Sequence, residues 1–237
     1  LAADPIIVHP DVRRMLLQQK SIAEGGRMFI YDIAKMIDVM QRSDDQEVIK
    51  ETDDTLGLLT PIAKAFLTEM GFESANLALQ CFGGHGYIAE TGVEQFVRDM
   101  RIAQIYEGTT GIQAIDLLAR KILGNQGETL KLFTDEMGAF CADHADVEAL
   151  QMFVTPLAEL KDQWQQLATD IGIAAMEKTA DELGSASVDF LMFSGYVTLA
   201  YMWAKMAKAA SGKDDAFYRT KLQTAQFYYQ RILPRTQ

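Results

Sequence analysis

The residues best suited to chemistry lie in one segment, QCFGGHGYIAETGVEQFVRDMRIAQIYEGTTGIQ, which covers residues 80–113. Near its end Glu107 stands between Tyr106 and Gly108, on a turn between two helical patterns. A carboxylate can act as a general base when apolar neighbours strengthen its affinity for a proton, and Ile105 and the Tyr106 ring could partly desolvate it. Considered alone, an acidic residue on such a turn is more often simply exposed, so the assignment depends on the rest of the segment.

A glycine cluster, Gly83-Gly84-His85-Gly86, precedes this turn in the same segment. Glycine lets a backbone approach phosphate groups closely, although a lone glycine run is weak evidence for a phosphate-binding loop and is also an ordinary helix stop. Arg98 and Asp99 lie between the cluster and the turn. We expect these two to form an ion pair that orients the turn.

The elements that position this segment are all predicted to be helices. Pro10 and Asp11 open a long helix that ends at the polar residues 43–45. Its buried stripe has steps of three and four residues: Ile22, Gly26, Phe29, Ile33, Met36 and Met40.

A short acidic helix over 45–56 and a strong helix from Pro61 to Cys81 come next, and the glycine cluster ends the latter. A third helix covers 92–104. Thr109 has the side chain of a good N-cap for a fourth helix, which ends at Gly124.

A second unit is predicted after Gly124. Its apolar stripe steps by three and four through Leu150, Phe153, Leu157, Leu160, Trp164, Leu167, Ile171 and Ala174. Pro156 suggests a kink, or a helix start with Thr155 as the cap. We expect a break at Gly184-Ser185 and further helices over 188–210 and 214–233. The predicted fold is therefore all-α, with one helical bundle over 1–124 and an appended helical domain over 125–237.

Composition excludes several functions. The net charge of −11 argues against binding to nucleic acid or to an anionic membrane surface, and no stretch of 18 consecutive apolar residues exists. Two distant cysteines and three scattered histidines offer neither a disulfide framework nor a metal site. Reduced thiols in the cytoplasm are the default expectation. The chain begins without Met, and we expect it to be part of a longer protein.

Taken together, the glycine cluster, Arg98-Asp99 and the turn Tyr106-Glu107-Gly108-Thr109 closely resemble, at this spacing, the C-terminal signature of the acyl-CoA dehydrogenases. The resemblance implies that Glu107 removes the α-proton of an acyl-CoA thioester while the β-hydrogen leaves as hydride to FAD. It also implies that the backbone N–H of the base helps to hold the thioester carbonyl oxygen, as an oxyanion-type donor. Tyr106 and Gly108 would then contact substrate.

The resemblance further implies two FAD-binding groups. The first would contact the adenosine–pyrophosphate part of a flavin bound in a neighbouring subunit, and it contains Gln80, Phe82, Gly83 and Gly84. The second follows the base and contains Thr109, Thr110 and Gly111. Many members of the family have Gln where this chain has Gly111, so that side-chain contact is absent here.

The recognisable part covers about 10–123, which corresponds to the C-terminal bundle of the family without its first helix. The remainder is similar to the appended domain of a long subclass, which includes enzymes acting on methylthio-substituted acyl-CoA. The family role implies fatty acid metabolism, an electron-transfer flavoprotein as acceptor and a homodimer or tetramer. We expect this part alone to bind FAD poorly and to be inactive.

Two alternatives stay open. One is a helical oligomerisation module with a vestigial site, which would not reduce flavin with any acyl-CoA. The other is an acyl-CoA oxidase or an alkylation-response flavoprotein on the same scaffold. The oxidase would consume oxygen rapidly, and DNA affinity would need a basic face that the net charge disfavours.

Overall fold

A computed structural model describes residues 3–237, and helices are the only regular secondary structure in that range, so the all-α prediction is confirmed. The helices of the first half are α1 (Pro10–Arg42), α2 (Gln46–Phe82), the short α3 (Gly84–Tyr87), α4 (Val93–Ala103) and α5 (Thr110–Ile115). Those of the second half are α6 (Glu128–Asp143), α7 (Gln151–Glu177), α8 (Asp181–Ala210) and α9 (Ala216–Phe227). The turns of α5 continue into a π-helical segment, Asp116–Ile122, and those of α9 into another, Tyr228–Ile232.

The first two helices form a long antiparallel hairpin. Helix α1 begins at Pro10 and ends at Arg42, as predicted. Ile22, Gly26 and Phe29 of its stripe are buried, and the later apolar positions of the stripe are partly buried. Asp45 caps α2, because its carboxylate accepts hydrogen bonds from two backbone N–H groups of the first turn.

Helix α2 is longer than predicted, because the two helices expected over 45–81 form one element of 37 residues. Pro61 lies inside it rather than at its start. A proline in a helix interior removes one backbone hydrogen bond and normally favours a break. Here Pro61 is buried, and the chain on both sides of it packs along α1, which keeps the helix continuous.

Helix α8 is the central helix of the second half. It packs against α1, α2, α5, α7 and α9, and most of its side chains from Phe190 to Ala207 are buried. By length and composition it is apolar enough to cross a membrane, but 61% of the relevant window is buried inside this fold. Its apolar character is accounted for by its place in the core.

Two predicted boundaries in the second half were wrong. Gly184 and Ser185 lie inside α8, which begins at Asp181. Helix α7 begins at Gln151, so Thr155 does not cap a helix at Pro156. Glycine and serine lower helix propensity by less than burial of an apolar face can offset, so the packing of α8 overrides the local signal.

A single apolar core runs through both halves of the chain. It joins Phe29, Phe66 and Leu118 to Trp164 and Trp203, all of which are fully buried. A buried hydrogen bond also joins the two halves: the Trp203 indole N–H donates to the backbone carbonyl of Ser21 at 3.1 Å. The core therefore includes residues from both sides of 124/125. The division of the chain into two domains at that point stays a prediction.

The last residues of the chain are tied to the first bundle by a charged cluster. Arg235 donates two hydrogen bonds to the Glu73 carboxylate, at 2.8 and 2.9 Å, and Gln18 Nε2 donates a third at 2.6 Å. Burial alone would raise the pKa of Glu73, but Arg235, Gln18 and Arg14 together lower it below its ordinary value. The cluster thus favours the ionised carboxylate in the folded chain.

We expect Glu73→Gln to lower the free energy of unfolding by about 1–2 kcal/mol at neutral pH, a modest loss because the pair is partly exposed. Since the folded-state pKa of Glu73 lies below the unfolded value near 4.5, its stabilisation is complete above that pH and is lost as the pH falls through the folded pKa. Urea denaturation of both proteins at decreasing pH should show the stability gap closing in acid. A gap that is independent of pH would be inconsistent with this role for Glu73.

Candidate functional site

The predicted catalytic turn lies between α4 and α5, and its backbone is unusual. Glu107 has a φ of 55° and Gly108 a φ of 89°, so two successive residues adopt left-handed conformations. For a residue with a side chain this conformation costs roughly 1–2 kcal/mol, and it persists only where surrounding contacts hold it. A strained non-glycine residue on a connecting turn is a feature typical of functional sites.

The side chain of Glu107 is exposed, and so are its apolar neighbours. Ile105 is 47% exposed and Tyr106 is 50% exposed, so these two residues do not desolvate the carboxylate as the sequence suggested. Within residues 3–237 the Glu107 backbone N–H donates no hydrogen bond. Both groups of Glu107 that the predicted chemistry requires are thus unengaged within the described chain.

Two charged residues of helix α2 form hydrogen bonds with this turn, and neither was predicted from the sequence to be part of the site. Lys64 Nζ donates a hydrogen bond to the backbone carbonyl of Gly108. The Glu69 carboxylate accepts hydrogen bonds from Gln104 and Thr110, which lie on the two sides of the turn. The only available signal was a pair of charged residues within an apolar helical pattern, which normally indicates a solvated helix face.

Thr109, Thr110 and Gly111, which follow the turn, differ in their surroundings. Thr109 caps α5 as predicted, and its hydroxyl accepts a long hydrogen bond of 3.4 Å from the Ile112 backbone N–H. The Thr110 hydroxyl is already engaged with Glu69 at 2.5 Å. At Gly111 an added Cβ would meet no atom within 4 Å, so the fold does not require glycine there.

The glycine cluster ends α2 as predicted. Gly83 has a φ of 59° and a ψ of −145°, a backbone region that is essentially restricted to glycine. A Cβ placed at Gly83 or Gly84 would meet no atom within 4 Å, so the backbone is accessible from outside. Gln80 and Phe82 are exposed beside it.

The two groups of predicted FAD-binding residues do not lie together in one chain. The turn that carries Glu107 contacts α2 near Glu69, whereas the glycine cluster follows Phe82 at the end of the same helix. At 1.5 Å per residue, these points are about 20 Å apart along the axis of α2. One chain therefore presents two separate surfaces to a ligand.

Arg98 and Asp99 do not form the predicted ion pair. Neighbouring residues of a helix point in different directions, and both side chains are exposed on α4. Asp99 instead accepts a hydrogen bond from Gln95 Nε2 at 2.7 Å, one turn earlier. Among the described residues, no salt bridge to Arg98 is present.

Comparison with protein families gives two matches that together cover most of the chain. Residues 2–123 match the family described as "Acyl-CoA dehydrogenase, C-terminal domain". Residues 133–237 match the family described as "Acetyl-CoA dehydrogenase C-terminal like". The first match alone covers more than half of the 237 residues and includes the entire candidate site.

Individual relatives agree with these matches. The chain is 38% identical to 3-methylmercaptopropionyl-CoA dehydrogenase of Ruegeria pomeroyi, over 98% of this chain and 40% of that protein. It is 30% identical to a broad-specificity linear acyl-CoA dehydrogenase of Mycobacterium tuberculosis, over 95% of this chain and 39% of that protein. The chain thus spans about two fifths of the length of these relatives.

The fold agrees as well. The crystal structure of an acyl-CoA dehydrogenase from Bacillus anthracis, complexed with FAD, superposes on all of this chain and on 42% of its own, with a TM-score of 0.76 at 19% identity. The chain belongs to the acyl-CoA dehydrogenase family, and it corresponds to the C-terminal helical part of its members.

Proposed function

We propose that this chain supplies the catalytic base of an FAD-dependent acyl-CoA dehydrogenase. Glu107 would remove the α-proton of an acyl-CoA thioester, and its backbone N–H would donate to the thioester carbonyl oxygen. Such a donor stabilises the negative charge that develops on that oxygen as the proton leaves. Bound FAD would supply the acceptor for the β-hydride.

The strained turn is the observation that carries this proposal. Glu107 adopts a left-handed conformation on a turn whose two ends are hydrogen-bonded to α2. Its carboxylate and its N–H form no hydrogen bond within the described chain. Glycine would adopt this conformation at lower cost, so a glutamate with free polar groups at this position favours a role for its side chain. A base that must present its side chain and its N–H to one substrate does need a fixed turn.

The residues available for FAD fit a divided site. The open backbone at Gly83 and Gly84, with Phe82 exposed beside it, suits the close approach of a pyrophosphate and a planar ring. Thr109, Thr110 and Gly111 would contact the flavin next to the base. Because the two groups lie about 20 Å apart along α2, we propose that they serve the flavins of different subunits.

Exposed apolar side chains around the turn and the glycine cluster support assembly into a dimer or tetramer. They are Phe82, Tyr87, Ile88, Phe96, Ile102, Ile105, Tyr106, Ile112 and Ile115. So many exposed large apolar side chains over one segment of the chain, residues 82–115, are typical of an interface. The same cover would desolvate Glu107, which its own neighbours do not.

The substrate class that we propose is an acyl-CoA thioester, and the names of the relatives do not narrow the identity of its acyl group. One relative is named for a methylthio-substituted acyl-CoA and another for linear acyl-CoA. We propose an electron-transfer flavoprotein as the acceptor and a role in fatty acid metabolism, as the family resemblance implies. We also propose a cytoplasmic location, from the reduced state expected of the two cysteines.

The proposal is tested by anaerobic titration of the full-length flavoprotein with a panel of acyl-CoA thioesters, followed by the flavin absorbance at long wavelength. Bleaching by one class of thioester, with little oxygen consumption when air is admitted, is the expected result. Rapid oxygen consumption would favour an acyl-CoA oxidase. No bleaching by any member of the panel, with flavin bound, would favour a vestigial site.

A further inference from the structure

Within residues 3–237, two polar side chains of helix α2, Lys64 and Glu69, form hydrogen bonds only with the base turn, residues 104–110. Glu69 uses both of its carboxylate oxygens on this turn. Oε2 accepts from Gln104 Nε2, immediately before the turn, and Oε1 accepts from Thr110 Oγ1 at 2.5 Å, after it. One side chain thus joins the two ends of the loop that carries Glu107.

The bond from Gln104 has a fixed direction. Gln104 is only 6% exposed, and its Oε1 accepts a hydrogen bond from Arg101 Nη1 at 2.8 Å. Because a guanidinium group can only donate, the amide oxygen of Gln104 must face Arg101 and its NH₂ must face Glu69. Glu69 therefore has to be an acceptor at this position.

Two further bonds hold the left-handed part of the turn itself. Lys64 Nζ donates to the carbonyl of Gly108, and Gln113 Nε2 donates to the carbonyl of Glu107 at 3.1 Å. A Cβ at Gly108 would lie 2.8 Å from Gln113 Nε2, so the second bond also depends on glycine. The two consecutive carbonyls are thus held by side chains from α2 and α5.

We infer that Lys64 and Glu69 are positioning residues that hold Glu107 in its working geometry. The inference rests on the proposed function, in which Glu107 is the base. A displacement of about 1 Å of a reacting group can lower a rate by about 100-fold. Neither residue touches substrate or cofactor in this account, and both act through the turn.

Glu69→Gln is the sharpest test, because it keeps the size of the side chain but removes its charge and one of its two acceptor oxygens, so the amide can accept from Gln104 or from Thr110 but not from both. In the full-length flavoprotein we expect kcat to fall by about 10- to 100-fold with little change in KM. Lys64→Met, which keeps an unbranched side chain and removes the donor, should lower kcat by about 10-fold. If Glu69→Gln does not fold, Lys64→Met decides the matter alone.

Glu73→Gln is the matched control, since Glu73 lies one turn further along α2 and binds Arg235 rather than the base turn. It should lower stability and leave kcat unchanged. The decisive readout is a double-mutant cycle. Once Glu107 is Gln, adding Glu69→Gln should slow the residual reaction less than it slows the wild-type reaction, because only the positioning of the retained backbone N–H of residue 107 is then left to lose.

Two outcomes separate the inference from the function on which it rests. If Glu107→Gln loses activity but Glu69→Gln and Lys64→Met keep the wild-type kcat, or if the Glu69 effect is fully additive with that of Glu107, the positioning role is overturned. If Glu107→Gln itself keeps wild-type activity, the proposed function fails, whatever the variants of α2 do.

Discussion

Replacing Glu107 with Gln in the full-length flavoprotein is expected to lower kcat by about 10²- to 10⁴-fold, the usual contribution of a positioned general base. Gln has the size and hydrogen-bonding shape of Glu but cannot accept the α-proton. The backbone N–H of residue 107 is retained, so KM should change little. The measurement is the rate of flavin reduction when enzyme and acyl-CoA are mixed without oxygen.

The matched control is Glu159→Gln, the same change at an exposed position of α7, far along the chain from the turn. It should reduce flavin at the wild-type rate. Flavin content and oligomeric state should be equal in all three proteins. A Glu107→Gln protein that reduces flavin within a factor of two or so of wild type would remove Glu107 from the mechanism.

Gly195→Ala is the second large effect that we expect, and it acts on the fold rather than on the site. Helix α8 crosses α2 at this glycine, where an added Cβ would lie 2.1 Å from Phe66 Cγ and 2.7 Å from Phe66 Cβ. The Phe66 ring is fully buried, and its Cβ cannot move without the helix backbone. We expect a loss of about 3 kcal/mol or more in the free energy of unfolding, at the upper end of overpacking effects.

Gly184→Ala provides the control for this prediction within the same helix. A Cβ at Gly184 would meet no atom within 4 Å, and alanine favours helix over glycine by about 0.5–1 kcal/mol. Urea denaturation should therefore show Gly184→Ala as stable as wild type or slightly more stable. Equal stabilities for the two alanine variants would mean that α8 does not cross α2 as closely as described.

Much of the fold could be predicted from local patterns. The buried stripe of α1, the cap at Thr109 and the glycine stop after α2 were correct, because each depends on residues within a few positions of one another. Pro61 and Gly184 misled the prediction, because both sit inside helices that tertiary packing keeps continuous. In a helix interior glycine and proline are less favourable than alanine by roughly 1 and 3 kcal/mol, which the burial of a long apolar helix can exceed.

In the candidate site, too, residues that are close in sequence could be predicted and residues brought together by the fold could not. The spacing of the motif located Glu107 and its glycine neighbours, because those residues are close in sequence. Lys64 and Glu69 could not be found in this way, since Glu69 lies 41 residues from Thr110 and reaches it only because α4 runs back along α2. The sequence also placed Ile105 and Tyr106 over the carboxylate, whereas both point to the exposed surface.

The most direct test of the central claim is to observe proton removal without hydride transfer. Tert-butylacetyl-CoA has α-hydrogens but no hydrogen on its β-carbon, so only the first half of the proposed reaction is open to it. Incubated in D₂O with the wild-type flavoprotein, it should exchange its α-hydrogens for deuterium, and mass spectrometry should show the exchange falling to the background rate with Glu107→Gln. Exchange at the wild-type rate in the Glu107→Gln protein would show that another group is the base.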